Sequence, residues 1–365
     1  MILKDLTTYL EEIAPLAYQE SYDNAGLIVG NPHQEIHQAL ISLDCTEAVV
    51  DEAIAKNCKL IISHHPIVFK GLKKFNGNNY VERVVIKAIQ NNIAVYAIHT
   101  NLDSVLPGVN AKICEKIGLK NCSILAPKSG LLKKLVFFVP LAKADEVKTA
   151  IFNAGAGGIG NYSECSFNVD GIGTFKPNED SNPFVGEKNQ LHQEKETRVE
   201  VIFPALAERK MIAALLETHP YEEVAYDIYP LDNDYQNVGS GMIGELETPL
   251  NGEDFLHQLK KNMDLKVIRH TEILPDQIKK IAVCGGSGSF LLGKAIQAKA
   301  DVFITADFKY HEFFDADGKI LIADIGHFES EQFTQELLLE IITKKFPNFA
   351  VRLTESNTNP IKYLS

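Results

Sequence analysis

Residues 59–70, KLIISHHPIVFK, decide the fold. Leu60, Ile61 and Ile62 run apolar into Ser63, and then come His64, His65 and Pro66. A short, continuous apolar run of this kind reads as a strand covered on both faces, as in a parallel sheet sandwiched by helices. Proline cannot serve the ladder, so the strand stops there. Two adjacent imidazoles at the end of a buried strand need a reason. Within a strand they would point to opposite faces. Past its end, with Pro66 turning the chain, both can converge on one cleft.

The same style continues on either side. QALISLDCT reads as a strand and EAVVDEAIAKN as a helix; NYVERVVIKAIQNN is the next helix and IAVYAIHTNLD the strand after it. The last third repeats the alternation: KKIAVCGGSGS, a helix over FLLGKAIQAKA, strands ADVFITADF and KILIADIGH, then one long helix FESEQFTQELLLEIITKKF. The middle differs. From Lys133 the order is strand KLVFFVP, helix ADEVKTAIFNAG, strand YSECSFNVDG, a polar stretch to Lys195, strand TRVEVIFPA, helix AERKMIAALLETH and strand AYDIYPL. That β-α-β-β-α-β order is the pattern of a ferredoxin-like module, and the polar stretch has the composition of an exposed, mobile loop. The expectation is one α/β domain with mostly parallel sheets, built from residues 1–128 and 239–365 and interrupted by an α+β insert at 129–238.

The bulk composition narrows the function classes. A chain of 365 residues exceeds one ordinary core, and 45% hydrophobic with 23% charged residues is usual for a globular protein. A net charge of −12 leaves no phosphate-tracking basic stripe, so nucleic-acid binding is not expected. The six cysteines form no CxxC pair and read as free thiols in a reducing compartment. The opening MILKDLTTYLEEIAP lacks the apolar core of a signal peptide, and no run reaches the ~20 apolar residues of a membrane span. A cytoplasmic protein is expected.

G-x-G-x-x-G occurs at Gly155/Gly157/Gly160 and again at Gly239/Gly241/Gly244. A dinucleotide fingerprint must leave a strand and open a helix. The first instance follows a helix, and the second runs into ELETPL, where proline halts any helix. Neither supports a nucleotide-dehydrogenase reading. CGGSGS (284–289) is better placed, between a strand and a helix, and reads either as an anion cradle or as a tight turn.

In open α/β sheets, ligands bind beyond the carboxyl ends of the strands. Those ends carry Asp44, His64 and His65, His99 and Asp103, then Asp307, His311, His327 and Glu331. His327 and Glu331 are four apart at the start of a helix and so share one face. Asp103, following its strand closely, could bridge. Three imidazoles with two carboxylates and no sulfur suit Zn²⁺, Mn²⁺ or Fe²⁺ rather than Cu(I) or Ca²⁺. With two divalent ions, the two carboxylates leave positive charge over for hydroxide or a ligand phosphate, and paired ions of this kind are typical of hydrolytic sites.

At these residues the chain resembles the GTP cyclohydrolase 1 type 2 homologue family, dinuclear-metal proteins. The matching stretches are YDNAGLIVG (22–30), LIISHHPIVF (60–69), AIHTNLD (97–103), GGSGSF (285–290), ITADFKYHEFFDA (304–316) and DIGHFESE (324–331). HPYEEVAYDIYPL (219–231) resembles the PII/CutA-like insert of the longer bacterial members. Tyr22 stands where tryptophan is common and Ala306 where glycine is common. The resemblance implies metal ligands at His64, His65, Asp103, His327 and Glu331, two divalent ions per subunit (zinc foremost, manganese or iron as alternatives), and a toroidal homohexamer enclosing a cavity.

Two readings follow. The first is a metal-dependent hydrolase acting on a nucleotide-like or phosphorylated substrate; in the form the family name implies, it would open the guanine ring of GTP and release formate. His99 and His311 are then the candidate proton carriers, although His99 also reads as support for a ligand through its second ring nitrogen. Asp44 and Asp307 are expected beside the ligands or the substrate. The second reading is a metal-binding regulatory or trafficking protein with the insert as a sensor, in which His219 is a further candidate ligand.

Overall fold

The computed structural model describes residues 1–274 and 277–364; positions 275, 276 and 365 lie outside the described residues. The chain divides into two compact units, 1–126 with 237–365 and, between them, 127–236.

In the split unit, a five-stranded sheet has the order Gly26–Val29, Ala94–Ala97, Leu60–Ser63, Gln38–Ser42, Ala350–Leu353. Its first pair is antiparallel and the other three are parallel. Helices Glu47–Ala55 and Tyr80–Gln90 connect the parallel strands. Each starts at a side-chain cap: Thr46 Oγ1 accepts from the amide of Val49, and Asn79 Oδ1 from that of Glu82. Val49, Val50, Ala53, Val84, Val85 and Ala88 bury the helix faces against Leu40, Ile61 and Val95 of the sheet. Those three sheet residues are register partners, so both helices cover one face of the sheet; Leu60–Ser63 itself is buried along its whole length.

The second sheet runs Arg269–His270, Leu321–Asp324, Val302–Ala306, Ile278–Ser287, Tyr235–Leu250, Lys120–Lys128. Its central strands Leu321–Asp324, Val302–Ala306 and Ile278–Ser287 pair in parallel, while Arg269–His270 runs antiparallel to Leu321–Asp324 and Tyr235–Leu250 antiparallel to Ile278–Ser287. The expectation of mostly parallel sheets therefore holds for the first sheet and is corrected for the second, which is mixed. The long helix expected after His327 is two helices, His327–Glu331 and Thr334–Lys345. No helix among the described residues is long and apolar enough to cross a membrane, and all six cysteines are free.

Residues 127–236 form a four-stranded antiparallel sheet in the order Phe167–Phe175, His192–Pro204, Leu132–Pro140, Tyr226–Leu231. Helices Ala144–Asn153 and Glu208–Thr218 bury Val147, Ile151, Met211 and Leu215 against Leu135, Phe137, Val139, Val199, Val201 and Phe203. The hairpin Phe167–Phe175/His192–Pro204 reaches further into the polar stretch than the sequence implies, pairing Phe175 with His192. Most of its outer residues are exposed, so no apolar alternation marks those arms in the sequence.

Candidate metal centre

The strand Leu60–Ser63 delivers His64 and His65 by keeping the sheet's backbone pairing for two more residues: the amide of His64 bonds Ser42 O, and that of His65 bonds Leu43 O. The rings then converge, with centroids 4.9 Å apart. The neighbouring strand Ala94–Ala97 ends in His99 and a short helical turn, Thr100–Asp103, which carries Asp103. The second sheet supplies Asp307 after Val302–Ala306, and His327 with Glu331 after Leu321–Asp324.

Each of the four imidazoles is anchored through Nδ1. His64 Nδ1 lies 2.8 Å from Ile98 O, His65 Nδ1 2.8 Å from Asp44 Oδ1, His99 Nδ1 2.8 Å from Asp23 Oδ1, and His327 Nδ1 2.6 Å from Asp307 Oδ2. Donation from Nδ1 leaves the Nε2 lone pair as the free donor to a cation, the usual arrangement of metal-binding histidines. Three sets of potential ligand atoms result, each within 4.8 Å: His65, His327 and Glu331; His64, Asp103 and Glu331; His64, His65 and His99.

The first set is the tightest. Glu331 Oε2 lies 3.0 Å from His65 Nε2 and 3.2 Å from His327 Nε2, and the two nitrogens are 3.4 Å apart. Metal–ligand bonds of ~2.0–2.1 Å imply ligand–ligand edges of roughly 2.9–3.4 Å in octahedral or tetrahedral geometry, so these separations match one face of a coordination polyhedron. In the second set, His64 Nε2 is 3.6 Å from Asp103 Oδ1 and 3.8 Å from Glu331 Oε1. The carboxylate common to two sets is Glu331, where the sequence pointed to Asp103 as the bridge. His64 Nε2, Asp103 Oδ1 and Glu331 Oε2 are buried without a hydrogen-bond partner. Orphaned donors of this kind in one place fit a bound cation.

The electrostatics agree. Burial, then the charge of Glu331, push Asp103 up to about 7. Burial opposes charge on His65, but Asp44 and Glu331 hold it up at about 10; His327 is likewise raised against burial to about 9, by Glu331 and then Asp307. Glu331 is held well below the usual carboxylate range, because the surrounding imidazoles outweigh its burial. Asp23 falls to about 2 in spite of burial, through hydrogen bonds from His99 and Thr100. Protons and divalent cations would therefore compete for the same lone pairs.

Two glycines let the backbone close on this cluster. Gly286 has φ +63°, and a β-carbon there would overlap Glu331 Oε1. Gly326, at φ +92°, would overlap Glu329. The first two amides of the GGSGS stretch are taken up by this packing and are closed to an anion. The Gly285 amide already donates to Asn110 Oδ1 and the Gly286 amide to Ser330 Oγ. Asp307 also adopts positive φ, +60°, a conformation aspartate tolerates, and this aims it at His327.

His64, His65, Asp103, His327 and Glu331 thus come together, and Asp44 and Asp307 orient two of them. His99 lies among them as a potential donor atom and does not hold another histidine. His311 does not join: it is exposed on the turn Tyr310–Ala316, edge-on to Tyr310 and stacked on Phe314, and does not line the cavity. His219 has both ring nitrogens occupied, Nε2 by Phe138 O and Nδ1 by the Tyr221 amide, so the ligand reading fails there. Sequence reasoning missed Asp23. It sits inside the quoted stretch YDNAGLIVG, but no local pattern connects it to His99.

The cluster opens into a cavity of about 890 Å³. Tyr22, Phe69, Tyr80 and Phe290 line it with exposed rings, and the residues 358–361 near the C-terminus form part of its wall. No lysine or arginine is among the described residues lining it.

This α/β unit gathers imidazoles and carboxylates beyond the ends of its strands, with their outer nitrogens tied and their inner ones free, as a candidate set of metal ligands. The Duf34/NIF3 (NGG1p interacting factor 3) family profile matches residues 1–360, and the chain belongs to that family. A GTP cyclohydrolase 1 type 2 homolog of Halalkalibacterium halodurans is 39% identical over 360 residues, covering 97% of this chain and 96% of its own. One of Bacillus subtilis is 38% identical with the same coverage. A solved Bacillus cereus protein related to NIF3 superposes with a TM-score of 0.87 at 38% identity, over 99% of both chains. A Staphylococcus aureus structure gives 0.79 at 30% identity, over 100% of this chain and 99% of its own.

Proposed function

We propose that the protein is a dinuclear metal-dependent hydrolase acting on a nucleotide-like or phosphorylated substrate. The observation that carries the metal reading is the convergence of Nδ1-anchored imidazoles on buried Glu331 and half-buried Asp103, the former shared between two ligand sets. His65, His327 and Glu331 would hold one ion, and His64, Asp103 and Glu331 the other, with His99 beside them. Zinc suits the nitrogen–oxygen set best, and manganese or iron also fits. Such ions, when bound, activate water at neutral pH and clamp substrate oxygens. The chain's own part is orientation: Asp44, Asp307 and Ile98 O fix the imidazoles, and the exposed rings of Tyr22, Phe69, Tyr80 and Phe290 offer faces for a planar base. Without lysine or arginine in the wall, an anionic group of the substrate would rely on the ions themselves.

One observation favours the second reading, a non-catalytic metal-binding protein. Of the two expected proton carriers, His311 lies outside the cavity, and the free side of the His99 ring lies within a ligand set with His64 and His65, where a metal ion would compete for it. Under either reading we take residues 127–236 as a ferredoxin-like, PII/CutA-like module, consistent with the β-α-β-β-α-β order and the antiparallel strand order. We further propose a cytoplasmic toroidal homohexamer that binds neither membrane nor nucleic acid. The experiment is turnover by zinc-, manganese- and iron-loaded protein on a nucleotide panel that includes GTP. Product formation abolished by Glu331→Gln supports the hydrolase, while metal-dependent binding without product at any pH supports the binding protein.

A further inference from the structure

A second cavity, about 630 Å³, lies within residues 127–236 and owes nothing to the metal centre. Its size suits a small molecule. One wall is aromatic: Tyr221 stands at the middle, with ring centroids 5.8 Å from Phe175 and 6.4 Å from Phe184, tilted 60° and 51°. All three rings line the cavity. Behind them sits Glu196, only 8% exposed yet lining the cavity.

Glu196 is an unusual carboxylate. Its Oε1 accepts from the Tyr221 hydroxyl at 2.7 Å, while its Oε2 accepts no hydrogen bond among the described residues, and no ion pair reaches it. The group packs against the bare backbone of Gly173, where a β-carbon would overlap Oε2. The phenol stays protonated, because burial and the adjacent carboxylate push Tyr221 well above its usual range. A carboxylate that lines a cavity with only a phenol for a partner is open to pairing with a positively charged ligand. The rim adds to the field: among the described residues, Asp180, Glu222 and Glu223 line the cavity against a single cation, Lys176.

A bare metal ion does not fit. No three metal-ligating groups meet here among the described residues, and both nitrogens of the nearby His219 are occupied. Aromatic faces beside a carboxylate are instead the recognition chemistry of an ammonium carried on carbon. We propose that this cavity binds a small organic ammonium cation, its charged head against Tyr221, Phe175 and Phe184 and paired with Glu196.

The test is calorimetric titration of the full chain with choline and with 3,3-dimethylbutan-1-ol, its uncharged isostere. Choline should bind saturably at one site per chain, and the isostere at least about tenfold more weakly, as expected when charge–ring and charge–charge attraction dominate. Glu196→Gln keeps an oxygen for Tyr221 and removes the charge; it should weaken choline by about tenfold or more and leave the isostere unchanged. Phe184→Ala alters an exposed ring, so the fold should survive, and choline should weaken again. Equal binding of choline and the isostere would overturn the proposal, as would choline binding indifferent to both substitutions. A chain that ignores choline but loses self-association on Phe184→Ala would also overturn it, and would make the cavity a contact between copies.

Discussion

Replacing Glu331 by glutamine keeps the side chain's volume and removes its charge at the point where two ligand sets meet. Glu331 is 3% exposed, with Oε2 at 3.0 and 3.2 Å from two imidazole nitrogens and Oε1 3.8 Å from a third. However the amide is turned, one set trades an oxygen for an NH₂ group, which repels a cation. Unit charges about 4 Å apart are worth about 4 kcal/mol at an effective dielectric near 20, and a divalent ion doubles that. If the amide oxygen recovers roughly half, the loss is about 4 kcal/mol, within the range for breaking a buried charge pair. That is close to three orders of magnitude in Kd. Zinc titration against a chromogenic chelator, with elemental analysis of the purified protein, measures both affinity and content. A variant that retains its full metal content with a Kd within about tenfold of the parent would refute the reasoning.

Asp44→Asn should be milder. Asparagine can still accept from His65 Nδ1 and hold Thr358, so only the charge is lost, and zinc affinity should fall about tenfold, the lower end for such supporting partners. Gly286→Ala combines a positive φ with a β-carbon in the space of Glu331, so melting should report a loss of about 1–3 kcal/mol together with depleted metal; unchanged melting would show that the turn relaxes freely. Glu52 ties helix Glu47–Ala55 to the C-terminal segment through Lys56, the Glu355 amide and Ser356. Those bonds outweigh burial and lower it from 4.5 to about 2. Its folded value is depressed, so its stabilisation is full above pH 4.5 and is lost as pH falls toward 2. The melting difference between the parent and Glu52→Gln should shrink across that window, and a difference that does not change with pH would contradict the assignment.

The sequence by itself determined a good deal, for short-range reasons. Apolar runs of four or five residues bounded by turn residues located the parallel strands, and the rule that ligands gather beyond strand ends pointed to Asp44, His64, His65, His99, Asp103, Asp307, His311, His327 and Glu331, from which the family resemblance picked five as ligands. The interruption was legible because its strand and helix order departs from the alternation on either side. The antiparallel edges of the second sheet were not legible, since pairing direction is set by partners distant in the chain. Neither was the strand Ala350–Leu353, whose pairing with Gln38–Ser42 brings the end of the chain against its beginning.

Only the tertiary structure decided how the site is wired. Asp23 reaches His99 across 76 positions of sequence, and the ring of His64 is fixed by a backbone carbonyl that no side-chain pattern could announce. It also removed His311, which follows its strand closely enough to suggest the site but lies on a turn that carries it to the surface. It showed that Gly285 and Gly286 give clearance to Glu331, while Gly288 gives it to Thr305 and Cys284. Residue type and local spacing specify which groups can bind a cation. Their protonation, their orientation and their sharing of one carboxylate depend on contacts between elements far apart in the chain, and those exist only once both sheets have folded.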